Sequence, residues 1–383
     1  MLTLYNIKPQ EPLGLIFLYG NNSLWESSLL QRKVNHKNLS VFCKKILKSI
    51  GTNQETVKYT VSAMMHGSQY GIDSHGVRLL HHYVKAFEGG RINKKPKTKF
   101  YSKKGESTGV LDADDGHGAV GTYKAVNEAV KLATKYGIGA IAITNSSHFG
   151  PAGAYAKNGA DQDQITIVFG NSDSFVSLFD GSERFHGTNP IAVAVPTDQE
   201  NPWLLDMATS SVPFNKIELH RSLKKSLHKG VALDSQGEIT SDPNIAHTLT
   251  PLGGSDFGYK GAGLAGIAEI FSSVLTGMRL SPDIPSMLGP NFSTPRKLGA
   301  FVICLKPTSF VTREIFLSAI HRYIRLIRTS ESISERKVMV PGEREWQVFE
   351  ERMIKGIPLD PQTEKSLYEL SIKYDIKPPW IGE

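Results

Sequence analysis

The apolar run Ile138–Thr144 (IGAIAIT) leads without a break into NSSHFGPAG, Asn145–Gly153, and then into a stretch of small residues, Ala152–Ala160. The apolar run has the length and composition of a buried strand. The small-residue stretch reads as a helix able to lie close against a sheet. Strand, polar turn and helix in succession commit this part of the chain to an α/β arrangement. The turn presents Ser146, Ser147 and His148 beside Gly150 at a helix N-terminus. Free N–H groups and the positive end of the helix dipole there favour an anion such as a phosphate or a carboxylate. Taken alone, the same residues would serve equally as a capping turn with a structural histidine.

Upstream the spacing is helical. Leu39, Phe42, Ile46 and Ile50 lie three or four apart, and Gly51 stops the run. Glu55–Gln69 and Val77–Glu88 read as further helices separated by the turn Gly71–Gly76. From Gly109 the pattern changes: Val110-Leu111 leads into DADDGHGAVG and a helix over about Thr122–Tyr136. Strands are expected at Ile165–Phe169, Ile191–Val195, Leu204-Leu205 and Phe301–Leu305, and a glycine-rich helix from Gly258 to about Thr276. Gly277–Arg296 reads as a loop. Thr312–Thr329, Glu343–Lys355 and a segment starting at Asp360-Pro361 read as closing helices, with proline tolerated in a first turn. Strands mixed with helices give an α/β layer sandwich. No G-x-G-x-x-G follows a strand, so no Rossmann fingerprint is present. The expected division is a helical domain at 34–108, an α/β domain at 109–311, and helices at 312–383 that pack back. Residues 1–33 are left as an unassigned N-terminal extension.

Five blocks stand in order: GIDSHGV (Gly71–Val77), NSSHFGPAG, FHGTNP (Phe185–Pro190), LDMATSSV (Leu205–Val212) and PLGG-x3-GYKGAGL (Pro251–Leu264). In this order and spacing they resemble the malate/L-lactate dehydrogenase family, the type that lacks a Rossmann domain. VPGE-x-E followed by GIPL is similar to that family's tail. The family also holds ureidoglycolate dehydrogenases, sulfolactate dehydrogenases, diketogulonate reductases and cyclic-imine reductases. The resemblance runs from about Leu39 to about Gly356. It implies that the non-Rossmann α/β layer binds a dinucleotide, NAD or NADP. It further implies hydride transfer between nicotinamide and a small 2-hydroxy acid or its 2-oxo partner, a homodimer, and a site between the helical and α/β domains.

Such a reaction needs a proton donor at the carbonyl oxygen, and histidine is the usual one near neutral pH. The resemblance singles out His75 in DSHG and His117 in DGHG, and does not choose between them. Asp114 or Asp115 could orient a neighbouring imidazole or simply cap a turn. Arg78 is a candidate carboxylate clamp, because a guanidinium can hold a carboxylate with two parallel bonds. Many family members carry that arginine one residue later, where this chain has Leu79. Tyr83, Ser147 and His148 are expected to line the same pocket. For the dinucleotide the resemblance implies His148; Gly187, Thr188 and Asn189; Asp206, Met207, Ala208, Thr209 and Ser210; Lys216; and Gly258, Tyr259 and Lys260. Asn215 stands where the family has glycine.

Composition bounds the alternatives. The chain has 383 residues, 40% hydrophobic and 21% charged, with a net charge of +7 and a pI near 9.1. A basic chain favours anionic ligands, but its lysines and arginines are dispersed, which disfavours a nucleic-acid partner. No apolar run nears the ~20 residues of a membrane span. Two distant cysteines, Cys43 and Cys304, point to a reducing compartment, and with no signal peptide to a cytoplasmic protein. With neither H-E-x-x-H nor CxxC, no metal site is read; without G-x-S-x-G, the Ser-His pairs make a weak case for a hydrolase. A reductase of cyclic imines and a diverged, non-catalytic dinucleotide binder stand as alternatives.

Overall fold

The computed structural model describes residues 32–381 apart from 200, 223 and 334. The N-terminal extension read at 1–33 therefore lies outside the described residues except for Arg32 and Lys33. The main sheet has seven strands, in spatial order Lys99–Tyr101, Thr108–Asp112, Ile138–Ser146, Leu298–Leu305, Ile165–Gly170, Ile191–Val195 and Trp203–Met207. Thr108–Asp112 runs parallel to Ile138–Ser146; all other neighbours are antiparallel. The parallel pair needs a crossover, and the helix Gly118–Tyr136 supplies it. Leu298–Leu305 arrives from far along the chain and inserts between two earlier strands. Its register sets Leu298 opposite Ser146, the last residue of the strand that opens the NSSHFGPAG turn.

One face of this sheet is covered by Gly118–Tyr136 and Gly153–Ala160. Ala119, Ala129, Ala133, Ala156 and Ala160 are buried there with Ile141, Ile143 and Val168. Small side chains let these helices approach closely: a Cβ on Gly139 would strike the backbone of Ala129. Gly137, at φ 88°, ends the first helix by returning its N–H to the Ala133 carbonyl. The other face is covered by the segment Ile270–Val274, where Phe271 stacks on Phe169 and meets Phe301 edge-on. This is an α/β layer sandwich without a Rossmann core.

The helices His36–Ser49, Gln54–Gln69 and Leu80–Glu88 bury Leu39, Phe42, Ile46, Val61, Leu80 and Phe87 in a second core. Ile357, Leu359, Leu367 and Leu370 from the end of the chain share it, and Arg32–Val34 pairs with Ile357–Leu359. A small five-stranded sheet between residues 176 and 249 has its own apolar cluster, with Val176, Ile217, Ala232 and Leu249 at its centre. Its strands are two or three residues long, too short to give a period in the sequence. Among the described residues no helix is long and apolar enough to cross a membrane.

Candidate active site

Three turns meet where the helical core touches the open end of the main sheet. The first holds His75. It packs against Gln54–Gln69 so tightly that a Cβ on Gly67 would lie 2.7 Å from the His75 carbonyl oxygen. The bidentate pair of Arg352 with Asp73, at 2.6 and 2.8 Å, fixes it from the other side. The second is the NSSHFGPAG turn. Gly150 takes φ +80°, a conformation that strains any side chain, and so brings its backbone past Tyr83. The third is the DGHG turn, bound to the second through Ser147, whose hydroxyl accepts from Gly118 N–H and donates to the Gly116 carbonyl.

The result is a ring cluster. Tyr83 Oη lies 2.8 Å from His148 Nδ1. The His148 ring stacks on His75 with centroids 5.6 Å apart, and His75 Nδ1 lies 2.8 Å from Ser74 Oγ. Burial drives the His75 pKa down to about 4. His148 is pushed well below its ordinary value by burial and by the facing His75, Arg296, His82 and His117. Both imidazoles are neutral at pH 7, and Tyr83 keeps its proton because burial raises its pKa. Neutral imidazoles half-open to solvent can accept a proton from a bound hydroxyl group.

Beyond the cluster the remaining blocks are stitched into one wall. Asp206 accepts from Gly153 N–H at 2.8 Å, joining the LDMATSSV segment to the helix after His148; burial pushes its carboxyl up to about 6. Thr209 N–H donates to Thr188 O, and Leu252 N–H to Thr209 O, each at 2.9 Å. Gly187–Asn189, Asp206–Ser210 and the start of the helix Gly254–Glu269 thus form a continuous surface. Asn189 is wholly buried; its amide donates to Glu269 Oε2 at 2.7 Å and to the Ala265 carbonyl. Thr209 and Ser210 spend their hydroxyls on backbone carbonyls. These three support the wall and do not offer side-chain donors to a ligand, because burial has already paired them. Met207 and Ala208 are half-buried, Gly258 is buried, and Tyr259 and Lys260 are exposed. Lys216 and Lys260 have no carboxylate partner among the described residues. Asn215 lies in the helix Phe214–Ser222; its side chain is outside the described residues.

The model of the malate/L-lactate dehydrogenase family matches residues 34–368. The chain belongs to that family. It is 34% identical to a malate dehydrogenase of Pyrococcus abyssi over 343 residues, 88% of this chain and 93% of that one. It is 32% identical to an L-sulfolactate dehydrogenase of Methanocaldococcus jannaschii, over 78% of this chain and 85% of the relative. The crystal structure of a malate dehydrogenase from Entamoeba histolytica superimposes with a TM-score of 0.85 at 28% identity, covering 92% of this chain and all of that one. As a malate/L-lactate dehydrogenase family member the chain is an oxidoreductase of the class acting on CH–OH groups.

Three sequence-derived site residues, His117, Arg78 and Ser147, already have partners within this dehydrogenase fold. His117 is fully buried, and its Nδ1 accepts from Ala119 N–H as the cap of Gly118–Tyr136. Tyr83 seals it edge-on with ring centroids 4.2 Å apart, and burial drives its pKa down to about 3. Its other ring nitrogen, Nε2, is buried without a hydrogen-bond partner. Arg78 is exposed and faces Asp360, 3.7 Å away, near the C-terminal end of the chain. Ser147 is likewise spent on the DGHG turn. Sequence reading missed Arg296, 2% exposed and paired with Asp173, because it sits in a Pro/Ser/Gly-rich stretch with no motif of its own.

Proposed function

We propose that the chain is an NAD(P)-dependent dehydrogenase of small 2-hydroxy acids that also runs in reverse on the 2-oxo acids. The observation that carries this reading is the Tyr83–His148–His75 cluster at the edge of the wall built from the family's loops. Bound nicotinamide would supply or accept the hydride. The wall fits such a group: Lys216 and Lys260 have no carboxylate partner among the described residues, Lys260 lying over the rings of Phe257 and Tyr259, and the helix Gly254–Glu269 opens on two glycines of positive φ, so its first N–H groups can meet phosphate. Sheet residues set the wall's shape, and the side chains of Asn189, Asp206, Thr209 and Ser210 hold it from behind.

His148 is the proton-transfer residue in this reading. With its Nδ1–H donated to Tyr83 Oη, the Nε2 lone pair is left to take the hydroxyl proton during oxidation. In reduction the same nitrogen returns it to the carbonyl oxygen. The stacked His75 resists a second positive charge on the pair, which keeps one proton in play. The assembly is a homodimer. Ile267, Ile270, Val274 and Leu275 form an exposed apolar stripe over residues 267–275, and Gly263 beside it has open space in which a second copy can approach. Buried, free Cys43 and Cys304 fit a cytoplasmic protein.

Purified protein incubated with NADH or NADPH and a panel of 2-oxo acids should consume the reduced cofactor. No loss of its absorbance with any of them refutes the reading. Faster turnover of a cyclic imine than of any oxo acid would move the substrate to that class. Tight cofactor binding by calorimetry without turnover would favour the non-catalytic alternative.

A further inference from the structure

We propose that Arg296 anchors the carboxylate of the substrate. This rests on the dehydrogenase reading above and names the residue that would make it specific for acids. The arginine nearest the family motif, Arg78, is turned toward Asp360, and the next position is Leu79, which carries no charge. A 2-oxo acid in the His148 pocket therefore needs a cation from another element.

Arg296 is the candidate. Leu298 pairs antiparallel with Ser146 where the two strands end, so Arg296 and His148 each stand two residues beyond that last pair. Its charge acts on both Tyr83 and His148. Its Nε donates to the Pro285 carbonyl at 2.9 Å and one Nη2–H pairs with Asp173, whose second oxygen accepts from Met287 N–H at 3.0 Å. The other terminal nitrogen, Nη1, is buried and has no partner. Buried guanidinium donors are almost always paired, so this one marks a place for an acceptor. Pinning the loop 285–296 uses Nε and Nη2 and leaves Nη1 unexplained.

The local charge agrees. Arg91 binds the same loop through the Ser286 carbonyl and interacts with both Arg296 and Asp173. Two guanidinium groups thus face one carboxylate. His82, held neutral by burial and by these arginines with a pKa pushed down to about 4, adds no further charge. The arrangement carries one positive charge without a counterion, and one substrate carboxylate balances it. The bound carboxylate completes the hydrogen bonding of Nη1 and turns the adjacent carbonyl toward the histidine pair.

The test compares the wild-type enzyme, Arg296→Gln and Arg296→Lys. Each is first checked for folding by circular dichroism and for NADH binding by fluorescence. Pyruvate and its neutral amide are then used as paired substrates. Loss of the charge-assisted bond should raise KM for pyruvate about 10- to 100-fold in Arg296→Gln, leave NADH affinity within about twofold, and collapse the preference for acid over amide. Arg296→Lys, which keeps the charge opposite Asp173 but loses the fork, should fall between. An unchanged KM and preference in a folded variant overturns the proposal. Binding of oxamate against oxamide to the wild-type enzyme with NADH, by calorimetry, gives a reading that needs no variant. Preference for the anion supports the anchor, and equal binding overturns it. Wild-type protein that binds oxamate yet turns over no oxo acid refutes the dehydrogenase reading while upholding the anchor.

Discussion

Replacing His117 by asparagine separates a capping histidine from a catalytic one. The structure gives His117 two tasks, a cap bond to Ala119 N–H and ring packing against Tyr83 and Phe87. Asparagine is among the best N-cap residues, so the first task survives; loss of the ring costs about 1–3 kcal/mol at neutral pH. The acid limb is more telling. Folded His117 titrates at about 3, whereas an unfolded histidine titrates near 6.5. A folded pKa lowered for a histidine means that the unfolded chain binds the extra proton, so stability falls as pH drops below about 6.5. Integrated from pH 7.5 to 5.0, one such histidine removes about 2 kcal/mol. His66, also buried and pushed down to about 3, removes a similar amount. His117→Asn should therefore lose about 2 kcal/mol less than wild type over this interval, in urea unfolding followed by tryptophan fluorescence at both pH values. Its kcat should stay within about threefold of wild type. An unaltered acid slope would refute the burial argument, and a kcat reduced a hundredfold would return His117 to the catalytic step.

Tyr83→Phe removes the hydroxyl beside His148 Nδ1 and should lower kcat about 10- to 100-fold with little change in NADH affinity, measured by steady-state kinetics and fluorescence titration. Glu269→Ala strips the shared acceptor of the Asn189 amide and of the Ser281 N–H and hydroxyl; losing these buried bonds should cost about 3 kcal/mol or more in chemical unfolding. Val274→Glu together with Ile270→Glu places charges on the exposed apolar stripe and should shift the protein to monomer in light scattering coupled to size exclusion. An unchanged dimer would place the contact elsewhere.

The strand–turn–helix at Ile138–Ala160 was legible because its physics is local. An apolar run, a glycine at positive φ and a small-residue helix each follow from neighbours in the chain. The same holds for most of the helices and for Leu298–Leu305 as a strand. The strand between residues 203 and 207 is longer than the two apolar residues that marked it, because Trp203, Asp206 and Met207 flank them and pair with Val195, Ala192 and Ile191 at the sheet edge. The helix Phe214–Ser222 has almost no apolar face, so periodicity gave no sign of it. The small sheet was silent for a related reason: two-residue strands hold their place by long-range hydrogen bonds, such as Leu249 N–H to the Phe175 carbonyl.

The site divides along the same line. His75, Tyr83 and His148 lie in separate segments, and a motif can name them; what they touch depends on how the segments cross. DSHG and DGHG look alike as strings, each a histidine between small residues. Their surroundings differ because one turn faces the sheet's open end, while the other begins a helix whose cap bond uses His117 Nδ1 and whose mouth Tyr83 closes. Arg296 carries the point further. It comes within electrostatic reach of His148 because a strand more than 150 residues later in sequence is laid against Ile138–Ser146, and nothing in its local sequence states that pairing. Sheet register thus decides which cation enters the pocket. Arg78 is held toward Asp360 and Leu79 carries no charge, so in the proposal above the substrate carboxylate is met by Arg296, just ahead of the strand Leu298–Leu305.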